Sequence, residues 1–289
     1  MQGKIILAGA TGYLGGFIAQ ELNFQGYNFL AFGRNEEKLK KMGLADKKFQ
    51  VVDVTKLTTF PKIEEPIDTV ISTVGITHQK DGLTYMDVDY GANLNLLEFA
   101  IRYQARKFVY VSVLNGEQMR HLKVTAAKEC FVDALKDSGL EYTIIRPSGF
   151  FSDMKDILAM AKSGRVYLFG DGECKLNPIH GIDLARVVID SIAAPQTEVE
   201  VGGPDIFTQN EIGQLALEAL GKGMKIVHLP DWMRRTALSF LRTFTSSQTY
   251  GPIEFFLSMM AHDNIAPRHG VNRLKAFFRE ESDRTQETI

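Results

Sequence analysis

Cysteine is nearly missing from this sequence: Cys130 and Cys174 are the two that occur in 289 residues. Two thiols cannot build a disulfide framework, and neither stands at a metal-ligand spacing, so no stapled secreted scaffold and no metal site is expected. They suit a reducing compartment, and the chain is read as cytoplasmic. Charge of one sign is missing as well: 33 basic residues against 35 acidic leave −2. Without a basic field, no nucleic-acid partner is expected. No run of about 18 uninterrupted apolar residues occurs, which excludes a membrane-spanning helix from the expected fold. Met1-Gln2-Gly3-Lys4 leads directly into an apolar strand, not through a charged region, apolar core and cleavage site, so no signal peptide is expected. Repeats, low-complexity tracts and long linkers are also lacking.

What is present is 45% hydrophobic residues, enough to bury a sizeable core. Apolar β-rich runs at 4–8, 27–32, 49–52, 69–73, 108–112 and 142–146 alternate with helical patterns at 13–24, 35–42, 85–103 and 116–138. Strands alternating with helices imply right-handed crossovers and a parallel sheet. The expected fold is α/β: a Rossmann doubly wound parallel sheet over residues 1–150, with a smaller, mostly helical substrate-side lobe over 151–289 packed on it. In that lobe a helix is expected at 153–162, a strand at 165–169, and a helix at 209–220 with Thr208 as its N-cap. The polar tail Glu280–Ile289 is expected to fray.

The sharpest signal is Gly9-Ala10-Thr11-Gly12-Tyr13-Leu14-Gly15, a G-x-x-G-x-x-G turn between the first strand and the first helix. A pyrophosphate must approach backbone N–H groups at a helix N-terminus, where side chains would block it. Gly9 serves the tight turn, Gly12 the close approach, and Gly15 the packing of helix on strand. A tight turn without a ligand is the plainer alternative. Cofactor choice is read at the end of the second strand, Ala31-Phe32-Gly33-Arg34-Asn35, where no acid precedes Glu36. Arg34 offers a planar fork to the extra phosphate of NADP, so NADP(H) is expected over NAD. A solvated strand-end arginine is the alternative.

Together with downstream motifs, this turn resembles the atypical short-chain dehydrogenase/reductase superfamily, in its NmrA-like, isoflavone-reductase-like and divinyl chlorophyllide reductase branches. The motifs are Val52-Asp53-Val54, Ser72-Thr73-Val74-Gly75, Tyr110-Val111-Ser112, Ile145–Phe151, Asn177–Ala185 and Val201-Gly202-Gly203-Pro204. The resemblance implies that Asp53 and Val54 stand by the adenine. It implies that Thr73, Val74 and Gly75 lie beneath the cofactor, and that Pro147 and Gly149 reach the nicotinamide side. One departure matters. The family's Tyr-x-x-x-Lys pair reads Val124-Thr125-Ala126-Ala127-Lys128, and a valine cannot exchange a proton. Alcohol–ketone interconversion through that tyrosine is not expected.

Lys128 without the tyrosine is similar to the isoflavone-reductase-like pattern and implies hydride transfer to a conjugated or hydrophobic small molecule. There Lys128 would hold the ribose; an exposed helix lysine is the alternative. Ser112 is a candidate for a substrate oxygen, though a strand-end serine often caps a turn. His121, two turns before Lys128 on one expected helix face, is a candidate acid. His180 is a weaker one. The competing reading is a non-catalytic NmrA-like redox sensor that binds the dinucleotide and acts through protein partners. The run Trp232–Tyr250 mixes aromatic and basic residues, leaving open a pocket wall, peripheral contact with a membrane surface, or core packing with snorkelling arginines. Monomer and homodimer both stay open, the long helices near 85–103 and 116–138 being where such relatives pair.

Overall fold

In the computed structural model, which describes residues 3–76, 82–223 and 225–286, the apolar run Lys4–Ala8 forms strand β1 and is followed by helix α1, Tyr13–Phe24. Strand β2, Phe29–Gly33, is buried throughout, as a strand covered on both faces must be. Helix α2, Glu36–Lys41, starts where the Asn35 side chain accepts from Lys38 N at 2.9 Å, with acids in its first turn and lysines in its last. Strands β3 (Phe49–Val51) and β4 (Ile67–Ser72), helix α3 (Asn93–Arg102), strand β5 (Lys107–Val111), helix α4 (Lys123–Lys136) and strand β6 (Glu141–Pro147) follow. The pairings from β3 through β2, β1, β4 and β5 to β6 are parallel. The order reverses at β1, whose neighbours are β2 and β4. Chains that leave one strand in opposite directions open a crevice at the strands' carboxyl ends, where such sheets bind ligands.

Beyond β6 come helix α5 (Lys155–Ala161), strands β7 (Val166–Phe169) and β8 (Lys175–Leu176), helix α6 (Gly181–Asp190) and strand β9 (Glu198–Val201), which joins the sheet beside β6 as its seventh strand. Strand β10 (Phe207–Thr208), helix α7 (Gln209–Ala219), strand β11 (Ile226–Leu229) and helices α8 (Asp231–Phe244), α9 (Ser247–Met259) and α10 (Leu274–Gln286) complete the chain. Two compact units result: Met1–Arg146 with Leu184–Val199, and Pro147–Asp183 with Glu200–Ile289. The single cut expected after residue 150 is therefore replaced by a discontinuous one. The return of 184–199 to the first unit has a physical anchor: the buried Lys107 ammonium donates to the carbonyls of Ser191 (2.7 Å) and Ala194 (2.6 Å).

Two expected helices are interrupted. The 85–103 pattern is a π-helical segment, Met86–Ala92, followed by α3, and the 116–138 pattern is a 3-10 turn, Gly116–Met119, a break, and α4.

The second unit has its own core, in which Phe151, Met154, Val166, Ile212, Leu217 and Phe278 are all buried. Its short strands β8, β10 and β11 were not legible as alternating runs. Thr208 caps α7 in a full capping box with Glu211. Two motifs find structural work here. The buried Asn177 amide donates to Gly203 O (3.1 Å) and Ala266 O (2.8 Å) and accepts from Ala266 N (3.0 Å). A Cβ on Gly203 would lie 2.0 Å from the Pro178 carbonyl oxygen, so glycine is required by space. The expected fraying of Glu280–Ile289 is overturned as far as Gln286, because α10 is pinned by buried Phe278 and by the Lys155–Glu281 ion pair at 2.7 Å; residues 287–289 lie outside the described residues. Core packing holds for Leu238 and Tyr250 of the aromatic run and fails for Trp232, Phe240 and Phe244, which are exposed.

Candidate functional site

The turn after β1 puts Gly9 at φ +83, a conformation that glycine adopts without strain. A Cβ there would lie 2.5 Å from Thr73 Oγ1, and one on Gly15 would lie 2.1 Å from the Gly9 carbonyl oxygen. Gly12 is the N-cap of α1. No side chain caps this helix and no acid occupies its first turn. Amides of a first helical turn lack intrahelical acceptors, so this end favours an anion.

A cavity of about 550 Å³ opens at this turn, lined among others by Gly9, Thr11, Gly12, Thr73, Val74 and Gly75. Leu14 is buried and Tyr13 packs edge-on against Phe17 at 5.3 Å; neither lines the cavity with the glycines. Arg34 lies on the wall, and so does Lys38, which the sequence reading missed. Lys38 was legible in principle: it stands four residues after Arg34, one turn into the capped helix α2. Among the described lining residues there is no carboxylate. Val54 and Thr55 also line the cavity, but Asp53 does not. Its carboxylate accepts from Thr55 N (3.2 Å) and Thr55 Oγ1 (2.7 Å) and pairs with Lys56 at 3.4 Å. Burial acts against the Asp53 charge, yet these partners hold its carboxyl below the usual range. These contacts tie the Asp53 side chain to its own loop, next to Val54 on the cavity wall.

The loop after β4 is held from below. Ser72 Oγ donates to Asn93 Oδ1 at 2.5 Å, and Asn93 Nδ2 donates to the carbonyls of Val74 (3.2 Å) and Asp89 (2.9 Å). Asn93 escaped the sequence reading because the loop groups it holds, Ser72 and the Val74 carbonyl, lie about twenty residues away. So did Asp89, carried by the π-helical segment and fully buried. Its Oδ2 accepts from Ile76 N at 3.2 Å and its Oδ1 meets Lys128 Nζ at 2.8 Å. Burial opposes the Lys128 charge most strongly of any single influence, but Asp89 and Tyr110 together outweigh it, and the ammonium is held above the ordinary lysine range. Tyr110 completes the group. Its buried hydroxyl makes no well-formed hydrogen bond, Lys128 Nζ lies 5.8 Å from its ring centroid, and burial pushes the phenol up.

The other two catalytic candidates fare differently. Ser112 Oγ donates to Glu129 Oε1 at 2.9 Å, inside a buried network in which Arg146 also grips Glu129 and pairs with Glu198. Its hydroxyl is occupied. His121 is exposed and lies before α4, whose N-cap is Leu122, so the shared helix face with Lys128 does not form. The chain turns there because Leu122 N bonds back to Met119 O at 2.9 Å. Val124, at the tyrosine position, is buried. Pro147 ends β6, and Gly149 sits at φ +144 with its carbonyl accepting from Ile179 N at 2.9 Å; both belong to the second unit. His180 packs edge-on against Phe151 at 5.5 Å in that unit.

The glycine cradle, the uncapped helix end and the cationic wall fit a dinucleotide and define a Rossmann nucleotide-binding protein. Residues 9–195 match the family model described as NAD(P)H-binding, and the chain belongs to that family. It is 30% identical over 265 residues to the chloroplastic divinyl chlorophyllide a 8-vinyl-reductase of Cucumis sativus, covering 82% of this chain and 62% of the relative. It is also 26% identical over 253 residues to the photosystem II assembly factor Ycf39 of Synechocystis, covering 84% and 74%. The chain thus spans about three-fifths of the first reductase's length. Among solved structures, the Citrobacter triphenylmethane reductase complexed with NADP(H) superposes with a TM-score of 0.71 over 96% of this chain and 99% of that one, at 16% identity. The resemblance read from the motifs is met by these relatives. Among the described residues no helix is long and apolar enough to cross a membrane.

Proposed function

We propose that this protein is an NADPH-dependent reductase of an activated carbon–carbon double bond in a conjugated, hydrophobic small molecule. The observation that carries the cofactor choice is the cavity wall: Arg34 and Lys38 stand beside the glycine turn with no carboxylate among the described lining residues. Two cations suit a ribose phosphate, whereas a ribose diol is usually met by an acid. The α1 N-terminus would take the pyrophosphate, and Thr73–Gly75 would support the middle of the molecule. The bound nicotinamide would supply the hydride.

The reaction class rests on the pairing of a retained Lys128 with a buried Val124, and on the kinship with a vinyl-reductase. Without the tyrosine, carbonyl chemistry loses its proton donor, while a polarised double bond needs a hydride and then a proton that water can deliver. Orientation of the substrate is then the protein's main contribution. Val124 and the kinship with an assembly factor support a second reading, a dinucleotide-dependent regulator without turnover. Calorimetric titration with NADPH, NADP and NADH, followed by a screen of conjugated acceptors under NADPH, separates the two. Tight NADPH binding with turnover of a conjugated acceptor supports the reductase. Strong discrimination between NADPH and NADP with no turnover supports the regulator, and no dinucleotide binding sinks both.

A further inference from the structure

Burying a carboxylate costs several kcal/mol unless it is paired and hydrogen-bonded. Asp89 is fully buried: its Oδ2 accepts from the Ile76 amide, and its Oδ1, which has no well-formed hydrogen bond, is paired with the Lys128 ammonium at 2.8 Å. It is presented by a π-helical segment, a rare geometry that is frequent at functional sites. Gly75 supplies an independent observation. Its backbone is not in the left-handed region, so conformation does not require glycine there. Space does: a Cβ on Gly75 would lie 2.7 Å from Asp89 Oδ1 and 2.8 Å from Lys128 Nζ. Gly75 lines the cavity, and the missing side chain lets the ion pair come up against that wall.

We propose that Asp89 is a positioning residue that holds Lys128 as a fixed cation against the Gly75 wall of the dinucleotide cavity and bars Lys128 from donating the proton of the reduction. This rests on the reading of the cavity as a dinucleotide site. The groups facing the ammonium are Asp89 from the π-helical segment and Tyr110 from β5, while Glu129 on its own helix is occupied by Arg146 and Ser112. Burial, the largest single influence, lowers the lysine's affinity for its proton; Asp89, with a smaller contribution from Tyr110, reverses that.

The test compares wild type with Asp89→Asn, which keeps the shape and an acceptor for Ile76 N. The ¹⁵Nζ resonance of Lys128, assigned by its loss in Lys128→Met, is followed in cofactor-free protein between about pH 7 and 11, around the ordinary lysine value near 10.4. NADPH affinity is measured at the two ends of the variant's titration. The expected result is an ammonium that persists in wild type and titrates below the ordinary value in the variant, with NADPH affinity falling about tenfold across that titration only in the variant. Identical titrations, or an affinity loss in Asp89→Asn that is the same at every pH, would overturn the proposal. If wild type binds no NADPH, the dinucleotide reading and the cofactor-facing role fall together, while the titration still decides whether Asp89 holds the charge.

Discussion

Glu129 and Arg146 meet as a two-point ion pair, Nη1 to Oε1 at 2.7 Å and Nη2 to Oε2 at 3.0 Å, in the interior of the first unit. The pair joins α4 to β6, and Ser112 on the β5 exit donates to the same carboxylate. It therefore fixes the helix that carries Lys128 against the sheet. Gly116 gives it room: a Cβ there would lie 2.2 Å from Glu129 Oε1.

Glu129→Ala should lower stability by about 3–5 kcal/mol, because it takes the two-point carboxylate partner from a buried guanidinium and leaves it Glu198 alone as a counter-charge. Ser112→Ala should cost about 1.5–3 kcal/mol, one hydrogen bond from a neutral donor to a charged acceptor. Denaturant unfolding of both variants measures the two losses. A Ser112→Ala protein of near-native stability with turnover reduced a hundredfold would return Ser112 to the substrate.

Arg34→Ala and Lys38→Ala should each weaken NADPH binding by roughly 10- to 100-fold, the worth of about 1.5–3 kcal/mol for a charge-assisted hydrogen bond. NADH binding should barely change. Parallel calorimetric titrations with both dinucleotides check this, and equal losses for both would remove the phosphate from the argument.

Gly9→Ala forces a side chain into φ +83 and against Thr73. A loss of about 1–3 kcal/mol in stability is expected from the strain, together with at least a tenfold loss of dinucleotide affinity. Gly26, also at positive φ but with open space around it, is the control. Gly26→Ala should affect stability alone.

Burial holds the His180 imidazole below its ordinary value, against the smaller opposing pull of Asp183 and Glu280. The ring is neutral in the fold, and the unfolded chain takes its proton first. The stability that depends on neutral His180 is fully present above about pH 6.5, the unfolded value, and is lost as pH falls through the lower folded value. Thermal unfolding from about pH 8 to 5 should show a steeper acid-side decline in wild type than in His180→Gln. Parallel curves would assign the decline to other groups.

The strands β1 to β6 and helices α1 and α7 were legible because each carries its reason locally: continuous apolar runs for strands covered on both faces, a capping threonine, a glycine turn. Helix α4 was overextended because its pattern ran through Gly116–Met119, and the back-bonding of Leu122 to Met119, with Thr125 Oγ1 donating to the carbonyls of Met119 and Leu122, starts the helix later. The two-residue strands β8 and β10 have too few residues to show a period.

By itself, the sequence determined the Rossmann order, the glycine cradle, the cationic end of β2 and the loss of the tyrosine, since each depends on neighbours within one turn or one strand. Tertiary structure decided the rest. It withdrew Asp53 into its own loop, set His121 outside the helix, engaged Ser112 with Glu129, and brought Asp89 across from another segment to Lys128. The physical reason is common to all four. A polar side chain takes the partner that burial and distance offer it, and those partners are set by how strands and helices pack, not by spacing along the chain.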